Sequence, residues 1–315
     1  MSLFLQRTFD SLANGTIYAG LAVAISLVFR STGVLNLAQG QMALFSTYVA
    51  VLFASEPSPR LAFTSWVDDF GTPWPIWASI VAAMIVSFIA GALIERVVIR
   101  PLGDDDPVPS IGATLGLFLL FDSFIREHWL DFTRRFGSPF PNQKGDWWVI
   151  GGARLEWDTV GIAATMIVAL GLLALLQHRT RLGLAFRAVS SNRQSSTLAG
   201  IRVDRVVMIG WALAAALGAL GGGLIAGQIP VRPGMMDRVL ILGLAAATLG
   251  GLRSPAMAFV GGYLFAATET VMSGYIGFID TRVTLVWALA VLIAVLSIRP
   301  QGLLRTHKVA IGDDP

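Results

Sequence analysis

The chain has 315 residues, of which 55% are hydrophobic and only 14% are charged, and this composition excludes an ordinary soluble globular domain. The formal net charge of +3 is too small for a nucleic-acid-binding protein. The absence of cysteine excludes disulfides, thiolate metal sites and a cysteine nucleophile. The composition therefore predicts a polytopic membrane protein that is embedded in a lipid bilayer.

Apolar stretches of about 20 residues predict helices that cross the bilayer, and two further stretches are interrupted. The segment 33–54 begins with the polar run GVLNLAQGQ, and the segment 239–252 is short and ends in Gly250–Gly251. We expect each to be a half-helix joined to an irregular segment. Residues 1–315 thus form one all-α transmembrane domain with about 8–9 helices, including broken or re-entrant ones. The continuous candidates are 12–30, 76–98, 108–126, 158–177, 206–229, 255–274 and 282–298.

The placement of arginine predicts the orientation, because positive charge is retained on the cytoplasmic side. The loop 179–205 carries six arginines and one acid, and further arginines lie in the turn 96–100 and in the C-terminal segment 298–308. When every predicted crossing is counted, including the two broken segments, these three arginine-containing segments fall on one face of the membrane. The segments 55–75 and 127–157 are then external, and the N-terminus is outside.

The external segment 127–157 is rich in tryptophan, and two interpretations stay open. Tryptophan at the ends of spans is typical of an interfacial belt. The same surface is also where a soluble external partner would touch the protein. The residues concerned are Trp129, Trp147, Trp148 and Trp157.

Three short internal matches, in the same order, predict a repeat of two three-helix units over 12–103 and 238–302. Internal repeats with discontinuous helices are a common plan for transporters, so the repeat favours transport over catalysis. The matches are Gly20–Ala22 with Gly243–Ala245, Met42–Tyr48 with Met257–Tyr263, and Ile99–Gly103 with Ile298–Gly302.

The motifs of soluble and membrane enzymes are absent. Neither Lys144 nor Lys308 follows a glycine, so the chain has no phosphate-binding loop, and it has no H-E-x-x-H or G-x-S-x-G. We expect no enzyme activity, no metal and no cofactor bound by this chain. A membrane-embedded enzyme is therefore disfavoured.

Polar residues and glycines inside the predicted bundle are candidates for the substrate path, since such groups are costly in a membrane. They have an alternative role in hydrogen bonding and close packing between helices. Glu269 and Asp122 can likewise be path groups or paired structural carboxylates. The path candidates are Asn36, Gln39, Gln41, Thr248, Gly250, Gly251, Ser254 and Glu269.

The pattern of the basic loop 179–205 predicts a short amphipathic helix, a polar link and the start of another helix. A solvated loop that only sets the topology is the alternative interpretation. The Gly, Ala and Leu content of the loop instead favours an ordered segment that a partner protein binds. The residues concerned are Leu182, Gly183, Ala185, Arg187, Ala188, Ala199, Gly200 and Ile201.

Five motifs stand in order along the chain: Gly33–Gly40; Ile94–Val97 with Arg100–Pro101; Arg181–Gly183 with Arg187–Ala188, Ala199–Ile201 and Asp204–Arg205; Leu249–Gly251 with Ser254–Pro255; and Pro300 with Gly302. Together they resemble the permease subunits of branched-chain amino acid ABC importers, over about residues 10–305. Where the common form of that family has His and Glu, this chain has Gln39 and Gln41.

The resemblance implies a type II ABC importer-like permease in a bacterial or archaeal cytoplasmic (inner) membrane. It also implies a second, homologous permease subunit, two cytoplasmic ATPases that use ATP, and an external or periplasmic substrate-binding protein. The basic loop 179–205 is then the segment that couples to an ATPase. Alternatives are a permease of the same family for urea or short amides, and a self-sufficient channel or secondary carrier.

Overall fold

The computed structural model describes residues 2–54, 74–103, 107–129, 136–143 and 145–275, together with isolated helical positions between 286 and 298. The last predicted span and the basic C-terminal segment therefore lie outside the described residues, apart from those positions. The helices are α1 (Ser2–Thr32), α2 (Gln39–Ala54), α3 (Ile76–Ile94), α4 (Pro107–Trp129), α5 (Trp157–Arg179), α6 (Arg181–Ser191), α7 (Arg193–Leu198), α8 (Val203–Ile225), α9 (Met235–Gly250) and α10 (Pro255–Tyr275).

Within these residues, five helices are long and apolar enough to cross a membrane: α1, α3 with its C-terminal extension, α4, α5 and α8. The polytopic all-α prediction is confirmed. The helix α1 begins ten residues before the predicted start at residue 12, because its first turns pack on a β-hairpin described below. The helix α2 is described over 16 residues, from Gln39 to Ala54.

The centre of the bundle is formed by α1 and α8. In their most apolar stretches 72% of α1 and 78% of α8 is buried, against 28% of α3 and 22% of α4. The outer helices instead expose large aliphatic side chains such as Ile85, Ile89 and Leu119. An apolar surface of this kind is stable against lipid but not against water.

Both segments that the sequence predicts as broken contain a chain reversal at a glycine with positive φ. Gly33 (φ 75°) ends α1, and its amide donates to the carbonyl of Phe29 at 2.7 Å. Gly251 (φ 102°) ends α9 in the same way, with its amide 2.9 Å from the carbonyl of Ala247. Glycine has no Cβ and adopts this conformation without strain. We call residues 33–38 the first elbow and residues 251–254 the second elbow.

The helices α9 and α10 meet at the second elbow with a bend of 118°. Their contacts with α1 show the direction of each helix. Leu21 touches α9, Ser26 donates to the carbonyl of Leu252 at 2.8 Å, and Thr16 then meets Tyr263 on α10 at 2.8 Å. The chain thus runs along α1 to the elbow and returns, so α9 and α10 form a helical hairpin rather than one straight span.

Arginine side chains gather at one end of the bundle, which we call the basic end. The guanidinium of Arg100 donates to the carbonyl of Asp204 at 3.3 Å, and Arg30 donates to the amide oxygen of Gln177 at 3.3 Å. The end of α1, the turn after α3 and the loop 179–205 therefore share one face. This is the arrangement that the arginine pattern predicts for the first two arginine segments, while the third lies outside the described residues.

The turn after α3 is a π-helix, Glu95–Ile99, followed by a 3₁₀ turn, Arg100–Leu102. In a π-helix, residues five apart lie above one another, so Glu95 and Arg100 meet at 2.7 Å. Glu95 is buried, and the guanidinium of Arg100 compensates its negative charge. The sequence places Glu95 beside Arg96, but the π turn selects Arg100 instead.

A β-hairpin lies at the opposite end, which we call the hairpin end. Strand β1 (Trp147–Ile150) pairs with antiparallel β2 (Ala153–Glu156), and the turn residues Gly151 and Gly152 have φ of 59° and 83°. Two glycines with positive φ are what a two-residue type I′ turn requires. The amide of Arg154 donates to the side chain of Gln6 at 2.8 Å, which fixes the start of α1 to the hairpin.

The tryptophans of the external segment divide between core and surface. Trp129 is buried and stacks on Tyr48 with ring centroids 4.9 Å apart, so the interfacial-belt prediction is wrong for this residue. Trp148 is exposed and packs against Trp157 on the hairpin side, with centroids 4.4 Å apart. A belt position needs a ring at the surface, and α2 covers the ring of Trp129.

Candidate functional site

The first elbow is fixed to the middle of α8 by buried amides. The Asn36 side chain accepts from the amide of Ala38 at 3.0 Å and donates to the Gln39 side-chain oxygen at 3.0 Å. The Gln39 nitrogen in turn donates to the carbonyl of Ala214 at 2.9 Å. An asparagine that bonds the backbone two residues ahead is a common way to start a helix. Asn36 and Gln39 thus position the start of α2 against α8.

We expect Gln39→Leu to lower the free energy of unfolding by about 1–3 kcal/mol, because the buried carbonyl of Ala214 and the amide of Asn36 each lose a partner. The melting temperature of the purified chain in detergent measures this loss. The exposed Gln143 provides the control, and Gln143→Leu should leave the melting temperature unchanged. A melting temperature for Gln39→Leu equal to that of the control would contradict this account of the elbow.

Gln41, two residues further on, leaves the elbow and contacts α9. Its side-chain nitrogen donates to Asp237 Oδ1 at 2.8 Å, and the whole residue is 1% exposed. The start of α2 is therefore connected to the start of α9. The sequence does not single out Asp237, since this contact joins residues 196 positions apart.

The second elbow is held by α1 and by its own turn. The Ser254 hydroxyl accepts from the amide of Met257 at 3.4 Å, and Thr248 donates to the carbonyl of Ala245 at 2.8 Å within α9. A Cβ at Gly250 would lie 2.0 Å from the carbonyl oxygen of Met257, so this glycine allows α9 and α10 to touch. The two elbows are thus attached to different helices, the first to α8 and the second to α1.

Both carboxylates that the sequence leaves open between a path role and a structural pair have arginine partners. Glu269 pairs with Arg238 at 3.1 Å, and Asp122 pairs with Arg126 at 2.8 Å. The Glu269 side chain is 9% exposed, so its charge is compensated inside the bundle. These pairs connect α9 to α10 and successive turns of α4.

At the basic end, α6 is attached to α1 and α5 through Gln177. The carbonyl of Gln177, in the last turn of α5, accepts from Arg187 at 2.8 Å, and its side-chain oxygen accepts from Arg30 at 3.3 Å. Arg30 also reaches the Ser190 hydroxyl at 3.5 Å. The Thr180 side chain caps α6 by accepting from the amide of Gly183 at 3.1 Å. The helix α6 is therefore joined directly to α1 and α5.

Arg187→Ala should weaken this connection, because the cation satisfies a carbonyl at the end of α5 that has no partner within its own helix. We expect a loss of about 1–2 kcal/mol in the free energy of unfolding. We also expect membrane insertion to stay normal. The melting temperature in detergent measures this loss, and exposed Arg202→Ala is the control. A parallel loss of insertion would return the loop to a topology signal.

The helix α7 ends in a glycine motif that directs the chain into α8. Gly200 has φ 80°, and its amide donates to the carbonyl of Thr197 at 3.0 Å. The amide of Ile201 donates to the carbonyl of Ser196, also at 3.0 Å. This pair of bonds defines a Schellman motif. Gly200 is thus a backbone requirement, and nothing lies within 4 Å of where its Cβ would be.

The other predicted coupling residues divide by exposure. Leu182, Ala185 and Ile201 pack against the core, Ala188 is half-buried, and Ala199 is exposed. Two exposed leucines that the sequence interpretation missed are Leu184 (60% exposed) and Leu198 (90% exposed). The buried residues Gly183, Phe186 and Val189 recur at helical spacing, and that pattern places Leu184 on the opposite face.

Comparison with known proteins adds a decisive observation. The family described as the branched-chain amino acid transport system, permease component, matches residues 7–296. The chain belongs to this permease family. LivH of Salmonella typhimurium, a high-affinity branched-chain amino acid transport system permease protein, is 26% identical over 316 residues and 97% of each chain. BraD of Pseudomonas aeruginosa, which carries the same description, is 27% identical over 314 residues, also 97% of each chain.

A third relative is archaeal. The probable branched-chain amino acid transport permease protein LivH of Methanocaldococcus jannaschii is 27% identical over 296 residues, which are 90% of this chain and 87% of the relative. No solved structure matches the chain. This permease is therefore a multi-pass membrane component of a transport system and not an enzyme.

Proposed function

We propose that this permease forms the translocation path of an ATP-binding cassette importer for branched-chain or related amino acids. The relatives carry this substrate class in their descriptions. In this assembly the permease pairs with a second, homologous permease subunit in the cytoplasmic membrane. Two cytoplasmic ATPases bind and hydrolyse ATP, and an external binding protein delivers the substrate, so this chain needs no cofactor of its own.

The observation that carries the coupling part is the attachment of α6 and α7 to the central helices. The segment 179–205 is basic, presents Leu184 and Leu198 to its surroundings, and is tied through Gln177 to α1 and α5. Exposed leucines between arginines offer a partner subunit an apolar anchor within a charged rim. Movement of this surface reaches α1, against which both α9 and α10 pack.

In the proposed importer, the two elbows line part of the translocation path. Irregular backbone at membrane depth is stable only where protein covers it or where it lines a cavity. The first elbow and the start of α2 present Asn36 and Gln39 beside α8. The end of α9 and the second elbow present Thr248, Gly251 and Ser254 beside α1. Alternating access then consists of a change in the angle between the elbows and these two helices.

Uptake with different substrates tests the substrate class. The complete importer, with the binding protein, the second permease and the ATPases encoded beside this chain, is reconstituted in vesicles. We expect ATP-dependent uptake of leucine, isoleucine or valine, and no uptake of urea under the same conditions. Uptake of urea or acetamide without uptake of these amino acids would overturn the proposed substrate class and favour the amide permease.

A further inference from the structure

The first turns of α2 and α9 bring two acceptor groups together. Gln41 uses its nitrogen to hold Asp237 at 2.8 Å, which leaves its own oxygen as the free end of the amide. This oxygen is buried and has no hydrogen-bond partner among the residues that the structure describes. A buried acceptor without a partner costs free energy, so its presence calls for a donor that is supplied from elsewhere.

The arginines near Asp237 have other partners. Arg126 is paired with Asp122 at 2.8 Å, and Arg238, the neighbour of Asp237 in sequence, is paired with Glu269 at 3.1 Å. Within the described part of the chain Asp237 itself forms no ion pair. Near Asp237, two carboxylates, its own and that of Asp122, thus face the single guanidinium of Arg126, and the charge that remains is negative.

The second carboxylate oxygen of Asp237 lies close to the backbone of Gly234, the residue that precedes α9. Gly234 has φ 79°, and a Cβ at this position would lie 3.1 Å from Asp237 Oδ2 and 4.0 Å from the guanidinium of Arg126. Asp237 itself is only partly buried. A small cationic group can therefore approach the second carboxylate oxygen while the first is held by Gln41.

We propose that Asp237 and the side-chain oxygen of Gln41 receive the ammonium group of an amino acid in the translocation path. An ammonium has three donors and a positive charge, which match the orphan acceptor and the unpaired carboxylate together. A neutral amide supplies the donors but not the charge. The inference rests on the proposed function and makes this pair a determinant of specificity within the permease itself.

The test compares uptake with hydrolysis in the reconstituted importer. Asp237→Asn removes the charge and keeps the shape, and we expect leucine uptake to fall at least about tenfold. Binding-protein-stimulated ATP hydrolysis should stay within about twofold of the native complex, because the ATPase contacts lie at the basic end. Asp237→Glu should recover part of the uptake. The control is Asp10→Asn at the hairpin end, whose carboxylate accepts only from Gln6 among the described residues.

A second variant, Gln41→Met, removes the orphan oxygen and should lower uptake in the same selective way. Unchanged leucine uptake by Asp237→Asn would overturn the inference, as would an equal fall in uptake and hydrolysis in both Asp237→Asn and Gln41→Met. Uptake by the native complex distinguishes failure of this inference from failure of the proposed function. If it shows no ATP-dependent uptake of amino acids, the proposed function fails, and the inference fails with it.

Discussion

Gly183→Ala is expected to abolish transport, because the first atom of any side chain at this position would overlap the end of α5. A Cβ at Gly183 would lie 2.0 Å from the carbonyl oxygen of Gln177 and 2.3 Å from its carbonyl carbon. Both are backbone atoms and cannot rotate away. The helix α6 must therefore move, and the contact of Arg187 with the same carbonyl is lost with it.

Leucine uptake by Gly183→Ala in the reconstituted importer should fall at least about tenfold, and the free energy of unfolding should fall by about 1–3 kcal/mol. The matched control is Gly171→Ala on α5, where nothing lies within 4 Å of the added methyl group. Native uptake by Gly183→Ala, or an equal loss in both variants, would contradict the close contact between α5 and α6.

Gly250→Ala is the second substitution with a large expected effect. The added methyl group would lie 2.0 Å from the carbonyl oxygen of Met257, and at Gly261 it would lie 2.3 Å from that of Ala246. The backbones of α9 and α10 thus touch at two glycines, and such close approach is a common way to join helices in a membrane. An alanine at either position opens the angle of the second elbow.

We expect Gly250→Ala to lower the free energy of unfolding by about 1–3 kcal/mol and to reduce uptake more strongly than this loss alone would. Gly116→Ala on α4 is the control, since open space surrounds that position. The melting temperature in detergent and uptake in vesicles are measured for both. If Gly250→Ala melted at the native temperature, the second elbow would not depend on this contact.

Hydropathy and glycine placement predict much of this fold. The spans over α3, α4 and α5 follow from their apolar length, and both elbows follow from polar or glycine-rich interruptions. The hairpin was missed, although Gly151–Gly152 between two strand-forming runs is a turn signal. The sequence interpretation of 127–157 gave its tryptophans priority over its glycines.

The site was less predictable, because its contacts join distant parts of the chain. Gln41 was named from its position in a polar run, but its partner Asp237 lies on another helix. The pairing of Glu95 with Arg100 depends on a π turn that no residue pattern specifies. The sequence predicts that Gly183 faces a partner, and its contact with the end of α5 follows only from the angle between α5 and α6.

In the proposed importer, motion of the ATPases acts on α6 and α7 and is passed on to the elbows. Arg30 and Gln177 connect the coupling segment to α1 and α5. The helix α1 carries Ser26, which holds the second elbow. The side-chain oxygen of Gln41 and the carboxylate of Asp237 lie where α2 meets α9. The helix α2 follows the first elbow, and α9 precedes the second.

Uptake of radiolabelled leucine into vesicles tests the central claim most directly. The vesicles contain this permease with the second permease subunit, two ATPases and saturating binding protein of the proposed importer, and they are loaded with ATP or with a non-hydrolysable analogue. The account predicts accumulation above the external concentration with ATP only, and none by the permease alone. Equal uptake with the analogue, or uptake by the isolated chain, would contradict it and establish a channel or carrier instead.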